Sequence, residues 1–415
     1  MNPTGIELCK AKLFQYISPV GDIDRVIAEG CESFMPKLKC GDTVAVGVGS
    51  RGIANIAAIT KALVDYLIGH GMQAFIVPAM GSHGGATAEG QSGLLEGYGI
   101  TAETMGVRIV SSMETEQIGT VEGEESFPVY FDKNALGADG VIVINRVKPH
   151  TDFHGEHESG IVKMLVIGMG KHKQALTMHR FGADGLAKLI PSAAEKVLEK
   201  VNIIGGIAIV EDGADNTSQI VCAAPEDFFR VDRMLLEHSR YIMAKLPFKK
   251  IDLLIIDEMG KNISGTGIDT NVIGRLRIKG QRDSYPDCDT IVVLDLTDES
   301  HGNATGIGLA DVTTKYLYDK IDWKVTNENV ITSGFLERGF LPIVAENDYE
   351  AIDIASRGNY DAESIRVVRI RNTLDLKEIY LSKPLMDELK QSGKGEQEEE
   401  YMPLSFGDGR LTAFD

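Results

Sequence analysis

Apolar residues fall along this chain in two alternating patterns. Short β-branched runs, "DTVAVGVG" (42–49), "QAFIVPAMG" (73–81), "GADGVIVINRV" (137–147) and "GGIAIVEDG" (205–213), alternate with stretches such as "NIAAITKALVDYLIGHG" (55–71) and "TAEGQSGLLEGYG" (87–99), which read as amphipathic helices. The alternation predicts βαβ units and a mostly parallel sheet. A long helical pattern over 225–246 begins at a proline and ends before Pro247, which places a domain boundary there. Beyond it the pattern restarts: strands in "KIDLLIIDEMG" (250–260) and "CDTIVVLDLTDESHG" (288–302), and a helix in "ATGIGLADVTTKYLYDKI" (304–321). The reading is two α/β domains, 1–248 and 249–415, with a cofactor and substrate cleft between them. The charged stretch "KQSGKGEQEEEY" (390–401) reads as a mobile surface segment.

Composition narrows the function. With 415 residues the chain is long enough for well-filled cores. A formal charge of -19 leaves no basic stripe for a polyanion, which sets nucleic acid aside and favours a small-molecule ligand. Five scattered cysteines, without CxxC spacing, suit a reducing cytoplasm and neither a disulfide framework nor a zinc ribbon. A signal-like N-terminus and a spanning apolar run are both missing, so neither export nor membrane insertion is expected.

Four loops carry candidate chemistry. Gly47, Gly49 and Gly52 satisfy GxGxxG between a strand and a helix, suited to phosphate on backbone N–H groups with Arg51 adding charge. The acidic partner of a dinucleotide ribose is missing after the second strand, and the same glycines also suit a plain tight turn. The second loop, "GSHGGATAEGQ", sets His83 among glycines at the carboxyl end of a strand, the edge where open α/β sheets bind ligands. The third, "KPHTDFHGEHESGIVK" (148–163), holds His150, His154 and His157, then Ser159, Gly160 and Lys163. Three histidines could bind zinc or iron, although their spacing fits none of the strong metal signatures. Lys163 enters an apolar run, where a lysine is either desolvated into a nucleophile or snorkels. The fourth loop carries His172 and His179, seven residues apart and hence on one face of a helix that stops at Arg180-Phe181-Gly182.

Taken in order, Gly81-Ser82-His83, Pro149-His150, Ser159-Gly160 with Lys163 four residues past the serine, and His179 resemble the nickel-dependent lactate racemase family over at least residues 45–180. The resemblance implies a nickel pincer nucleotide, derived from nicotinate mononucleotide, bound through a thioamide to Lys163 with His179 on nickel. It further implies His83 and His150 as proton donor and acceptor on opposite faces of a hydroxyacid. Ser50, Arg51, Gly52, Ser82, Gly84, Ser159 and Gly160 would line the cofactor. The family's Asp-x-x-Arg-Pro-Thr loop appears here as "GVGSRGIAN", which keeps Arg51 but loses the proline and threonine. The loop from Pro149 to Ser159 looks about three residues longer than in the lactate enzymes, so His154 could replace His150 as the base.

The expected activity is therefore an isomerase: a cytoplasmic, nickel-dependent racemase or epimerase of a 2-hydroxy acid, with a sugar acid among the candidates, and a divergent paralogue rather than a lactate enzyme. Its partners would be the hydroxyacid and the cofactor-maturation proteins, and protein made in a foreign host is expected to lack the cofactor. The alternatives are a metal-dependent lyase or dehydratase built on His150, His154 and His157, and a non-catalytic nucleotide-binding paralogue. In the C-terminal half, Lys261, Asn271, Arg275, His301 and Asn303 lie in polar, glycine-rich loops suited to a substrate carboxylate or to plain turns.

Overall fold

A computed structural model describes residues 2–50, 52–279, 283–358, 361 and 363–412. Its first strand, β1 (Glu7–Leu13), belongs with the far end of the chain: one compact unit is Met1–Gln15 with Ala244–Asp415, the other Tyr16–Met243. The sequence reading put residues 1–15 with the N-terminal domain, and here the structure corrects it.

In the unit 16–243 the strands are β2 (Thr43–Val48), β3 (Gln73–Pro78), β4 (Thr115–Val121), β5 (Phe127–Asp132), β6 (Gly140–Arg146), β7 (Ile203–Glu211) and β8 (Thr217–Ala223). The main sheet runs β3-β2-β6-β7-β8, parallel except for β8, while β4 and β5 form a separate antiparallel hairpin. β2 and β7 are buried along almost their whole length, as strands are when both faces of a parallel sheet are covered. Helix Ile56–Gly69 crosses from β2 to β3 and buries Ile56, Ile59, Leu63 and Leu67, one stripe at helical spacing. These pack with Val44, Val46, Ile142 and Ile207 in a single cluster. Each such side chain contributes about 1.5–3 kcal/mol by leaving water.

In the second unit, β9 (Lys250–Met259), β10 (Asp287–Leu296), β11 (Val312–Thr314), β12 (Ile343–Ala345) and β13 (Val367–Ile370) lie parallel in the order β12-β11-β10-β9-β13. β14 (Glu378–Leu381), β1 and β15 (Gly395–Gln397) then continue the sheet antiparallel. Two expectations change here. The helix expected over 304–321 is a strand, Val312–Thr314, followed by a short helix, Lys315–Lys320, capped by the Thr314 hydroxyl. The β-branched Val-Thr-Thr run favours the strand. The segment 390–401 is not a free surface stretch: Gly395, Glu396 and Gln397 pair with Leu13, Lys12 and Ala11. Among the described residues no helix is long and apolar enough to cross a membrane.

Candidate functional site

The loops after β2, β3 and β6 all leave the carboxyl edge of the first sheet, and the chain after β6 folds back across it. That chain makes one α-helical turn, Ile161–Lys163, then a π-helical turn, Met164–Gly168, then helix Lys171–His179. Glycines let this segment approach closely. A Cβ on Gly47 would stand 2.7 Å from Met169 Sδ, one on Gly49 2.8 Å from Met164 Cε, and one on Gly81, at φ +61°, 3.0 Å from Ile167. Gly47 and Gly49 are thus explained by packing of the segment that carries Lys163. A π-turn inside such a segment is a frequent mark of a functional site.

Two buried carboxylates anchor the segment. Asp232, from helix Phe228–Ile242, accepts the backbone N–H groups of Ile161 (3.0 Å) and Val162 (2.8 Å). Burial pushes its carboxyl up to about 7, against the pull of those two hydrogen bonds. Lys171 has no solvent exposure, pairs with equally buried Asp132 at 3.2 Å and donates to the Pro78 carbonyl at the end of β3.

Lys163 is half-buried, its ammonium 5.9 Å from the centre of the buried Phe153 ring. Phe153 stacks on the His150 imidazole, centroids 4.5 Å apart. His179, at the end of its helix, keeps a buried Nδ1 with no hydrogen-bond partner among the described residues. Burial holds this imidazole below its usual pKa range; the nearby Asp152 carboxylate opposes that, and the Lys163 ammonium reinforces it. His150, Asp152, Phe153, Lys163 and His179 are thereby linked in one neighbourhood.

Glu158 organises the histidine loop. Its carboxylate accepts from the N–H of His150 (2.5 Å), the N–H of Gly155 (3.0 Å) and the guanidinium of Arg240 (2.5 Å), and it faces Nδ1 of His154 at 3.2 Å. Burial raises its pKa, but the His154 and His150 hydrogen bonds and the Arg240 charge outweigh burial and hold it below the usual carboxylate range. The loop closes where Lys148 and Ser159 form an antiparallel bridge. His83 is half-buried in the neighbouring loop, with Nδ1 2.6 Å from Ser50 Oγ.

The other predicted residues are distributed as follows. Ser82 and Gly84 flank His83, and Gly84, at φ +64°, packs against the backbone of Gly90. Gly160 passes so close to Asp232 that a Cβ would stand 2.3 Å from its carboxylate. Gly52 adopts φ +57° with open space beside it, and Arg51 lies outside the described residues. The Ala54 N–H that follows already donates to Glu211 (2.7 Å), so a carboxylate of the chain occupies that part of the turn. His150, His154 and His157 do not converge: Nδ1 of His150 meets a backbone N–H, His154 turns to Glu158, and His157 is buried edge-on against Phe229. Among the described residues no three His, Cys, Asp or Glu side chains are grouped to hold a metal ion. In the second unit, Arg275 is committed to Asp311 and three backbone carbonyls, while Lys261 and Asn303 both bond Asn329.

Sequence reading missed Glu158, Arg240, Asp232 and the Lys171–Asp132 pair. Glu158 was visible inside the histidine loop; Arg240 and Asp232 come from a helix some seventy residues on, and no local pattern points to them.

A family model described as a domain of unknown function (DUF362) matches residues 49–237, less than half of the chain and within the unit that holds this neighbourhood. No curated protein matches. Among solved structures, the chain is similar to the lactate racemase apoprotein from Thermoanaerobacterium thermosaccharolyticum, at 12% identity and a TM-score of 0.50, covering 89% of this chain and 98% of that one. At that identity the likeness is one of fold.

Proposed function

We propose that the protein is a racemase or epimerase of a 2-hydroxy acid that uses a nickel pincer nucleotide held on Lys163. The observation that carries this reading is the placement of Lys163 beside His179 at the carboxyl edge of a parallel sheet, with an imidazole nitrogen buried and unpartnered. A buried polar atom left without a partner costs about 1–3 kcal/mol, so a bound group that used it would recover that cost. The racemase-like fold supports the same reading.

Lys163 would provide the anchoring amine and His179 the imidazole ligand to nickel, a metal that takes imidazole and sulfur donors well. When bound, the nucleotide supplies a reversible hydride acceptor. The chain's own task is then to move a proton on and off the substrate hydroxyl from two sides, which falls to His83 and the imidazoles of the 150–160 loop. Phe153, buried between His150 and Lys163, keeps water from that position. In the turn after β2 the Ala54 N–H is already engaged by Glu211 and is not free for the phosphate of the nucleotide. Cytoplasmic maturation proteins would load the cofactor.

The test is intact mass and nickel content of the protein from its own cell, or made together with pincer-maturation proteins. The expected result is a nucleotide-sized adduct on Lys163 and about one nickel per chain. An unmodified Lys163, when a control racemase is loaded in the same cells, would refute the proposal.

A further inference from the structure

We infer that Glu158 makes His154 the proton acceptor of the 150–160 loop and leaves His150 a hydrogen-bond donor, the reverse of the roles that motif order implies. The inference takes its chemistry from the proposed racemase, but its geometry stands apart from that proposal.

The argument turns on what faces each Nδ1. Glu158 has a side chain without solvent exposure, and its two oxygens take the Arg240 guanidinium and the N–H groups of His150 and Gly155. So surrounded, it is a carboxylate, and a carboxylate only accepts. The His154 Nδ1 opposite Oε1, 3.2 Å away, must therefore carry the hydrogen. In the neutral ring that leaves the lone pair on Nε2, and the His154 residue is exposed, so this nitrogen is open to a ligand. A histidine held by a carboxylate in this way has its ring orientation and its tautomer fixed.

His150 is set the other way. Its Nδ1 lies 3.0 Å from the Asp152 backbone N–H, which can only donate. The ring must present a lone pair there, so its hydrogen sits on Nε2. Protonating Nδ1 would turn one N–H against another; the Asp152 carboxylate, 3.8 Å off, is the more distant neighbour. Stacking on Phe153 fixes the ring plane. With its hydrogen on Nε2, the ring can donate there but cannot take a proton at that atom.

In the reaction, the substrate O–H bond breaks and its proton goes to His154 Nε2. The electron pair left on oxygen would form the carbonyl, and the nucleotide, when bound, would supply the acceptor for the hydride that carbon gives up. Return of hydride and proton reverses each bond change. His154 serves one face and His83 the other, while Glu158 is a positioning residue that never touches substrate.

Long-range proton–nitrogen NMR of the apoprotein, labelled with nitrogen-15 in histidine and held at a pH where the rings are neutral, reads the tautomers directly. His154→Gln and His150→Gln assign the two signals. The expected result is Nδ1–H for His154 and Nε2–H for His150, with Glu158→Gln moving the His154 ring away from the pure Nδ1–H form. An Nε2–H tautomer for His154 in the wild-type protein overturns the inference, whether or not Glu158→Gln folds. In loaded enzyme, His154→Gln should lower kcat by roughly 100-fold or more, the usual loss of a general base, whereas His150→Gln should act chiefly on KM. The opposite split also overturns it. Loaded enzyme without racemase turnover would sink the proposed function and leave the tautomer result to be judged alone.

Discussion

Asp232 Oδ2 accepts the Val162 N–H at 2.8 Å, and this contact, with its twin at Ile161, fixes where the Lys163 turn begins. A buried carboxyl raised to about 7 binds a proton in the folded chain that the unfolded chain has already released above roughly pH 4. Between those values the native state holds more protons, so this group makes stability fall as pH rises, by at most about 1.4 kcal/mol per unit. Asp232→Asn should remove that downward slope, which denaturant titrations from pH 4 to 8 on both proteins would reveal as a difference. Equal slopes would show that the carboxyl is not shifted.

The Lys171–Asp132 pair ties helix Lys171–His179 to the end of β5 and, through the Pro78 carbonyl, to the end of β3. Removing one partner of a buried pair strands the other charge. Lys171→Met should therefore cost about 3–5 kcal/mol in urea unfolding, and Lys171→Met with Asp132→Leu should recover a large part of it. A double variant no more stable than the single one would contradict this account.

The parallel strands of the first unit were legible because strands buried on both faces read as unbroken apolar runs, and Ile56, Ile59, Leu63 and Leu67 keep one helical stripe; the antiparallel β4, β5 and β8 were not read. The role of β1 was not: a strand that pairs with Leu381 and Gly395 gives no local sign of partners more than 350 residues away. At the site, the residue types were readable and their partners were not. Lys163 beside His179 follows from a short segment folding back on itself, whereas Asp232 under Gly160 is a tertiary contact marked only by the glycine.

That glycine gives a direct test. A methyl group at position 160 would meet the Asp232 carboxylate at 2.3 Å, in a place where neither backbone nor buried carboxylate can withdraw. Gly160→Ala should destabilise the protein by about 1–3 kcal/mol, the usual cost of overpacking, and should speed amide exchange at Ile161 and Val162. Unchanged exchange at those amides would mean that Asp232 does not hold the turn.

Cofactor loading should separate the roles of the two residues that the fold brings together. Lys163→Ala removes the proposed anchor, so the protein should carry neither adduct nor nickel when made with maturation proteins. His179→Ala keeps the amine and loses the imidazole, so the adduct should stay on Lys163 while nickel falls well below one per chain. His83→Ala and His150→Ala lie outside the anchor and the metal ligand, so both should keep adduct and nickel; His83→Ala should lose turnover, and His150→Ala should lose activity chiefly through KM. Intact mass gives the adduct, metal analysis the nickel, and a chiral assay the turnover. Nickel retained in His179→Ala at the wild-type level would remove His179 from the metal, and an adduct surviving in Lys163→Ala would place the anchor elsewhere.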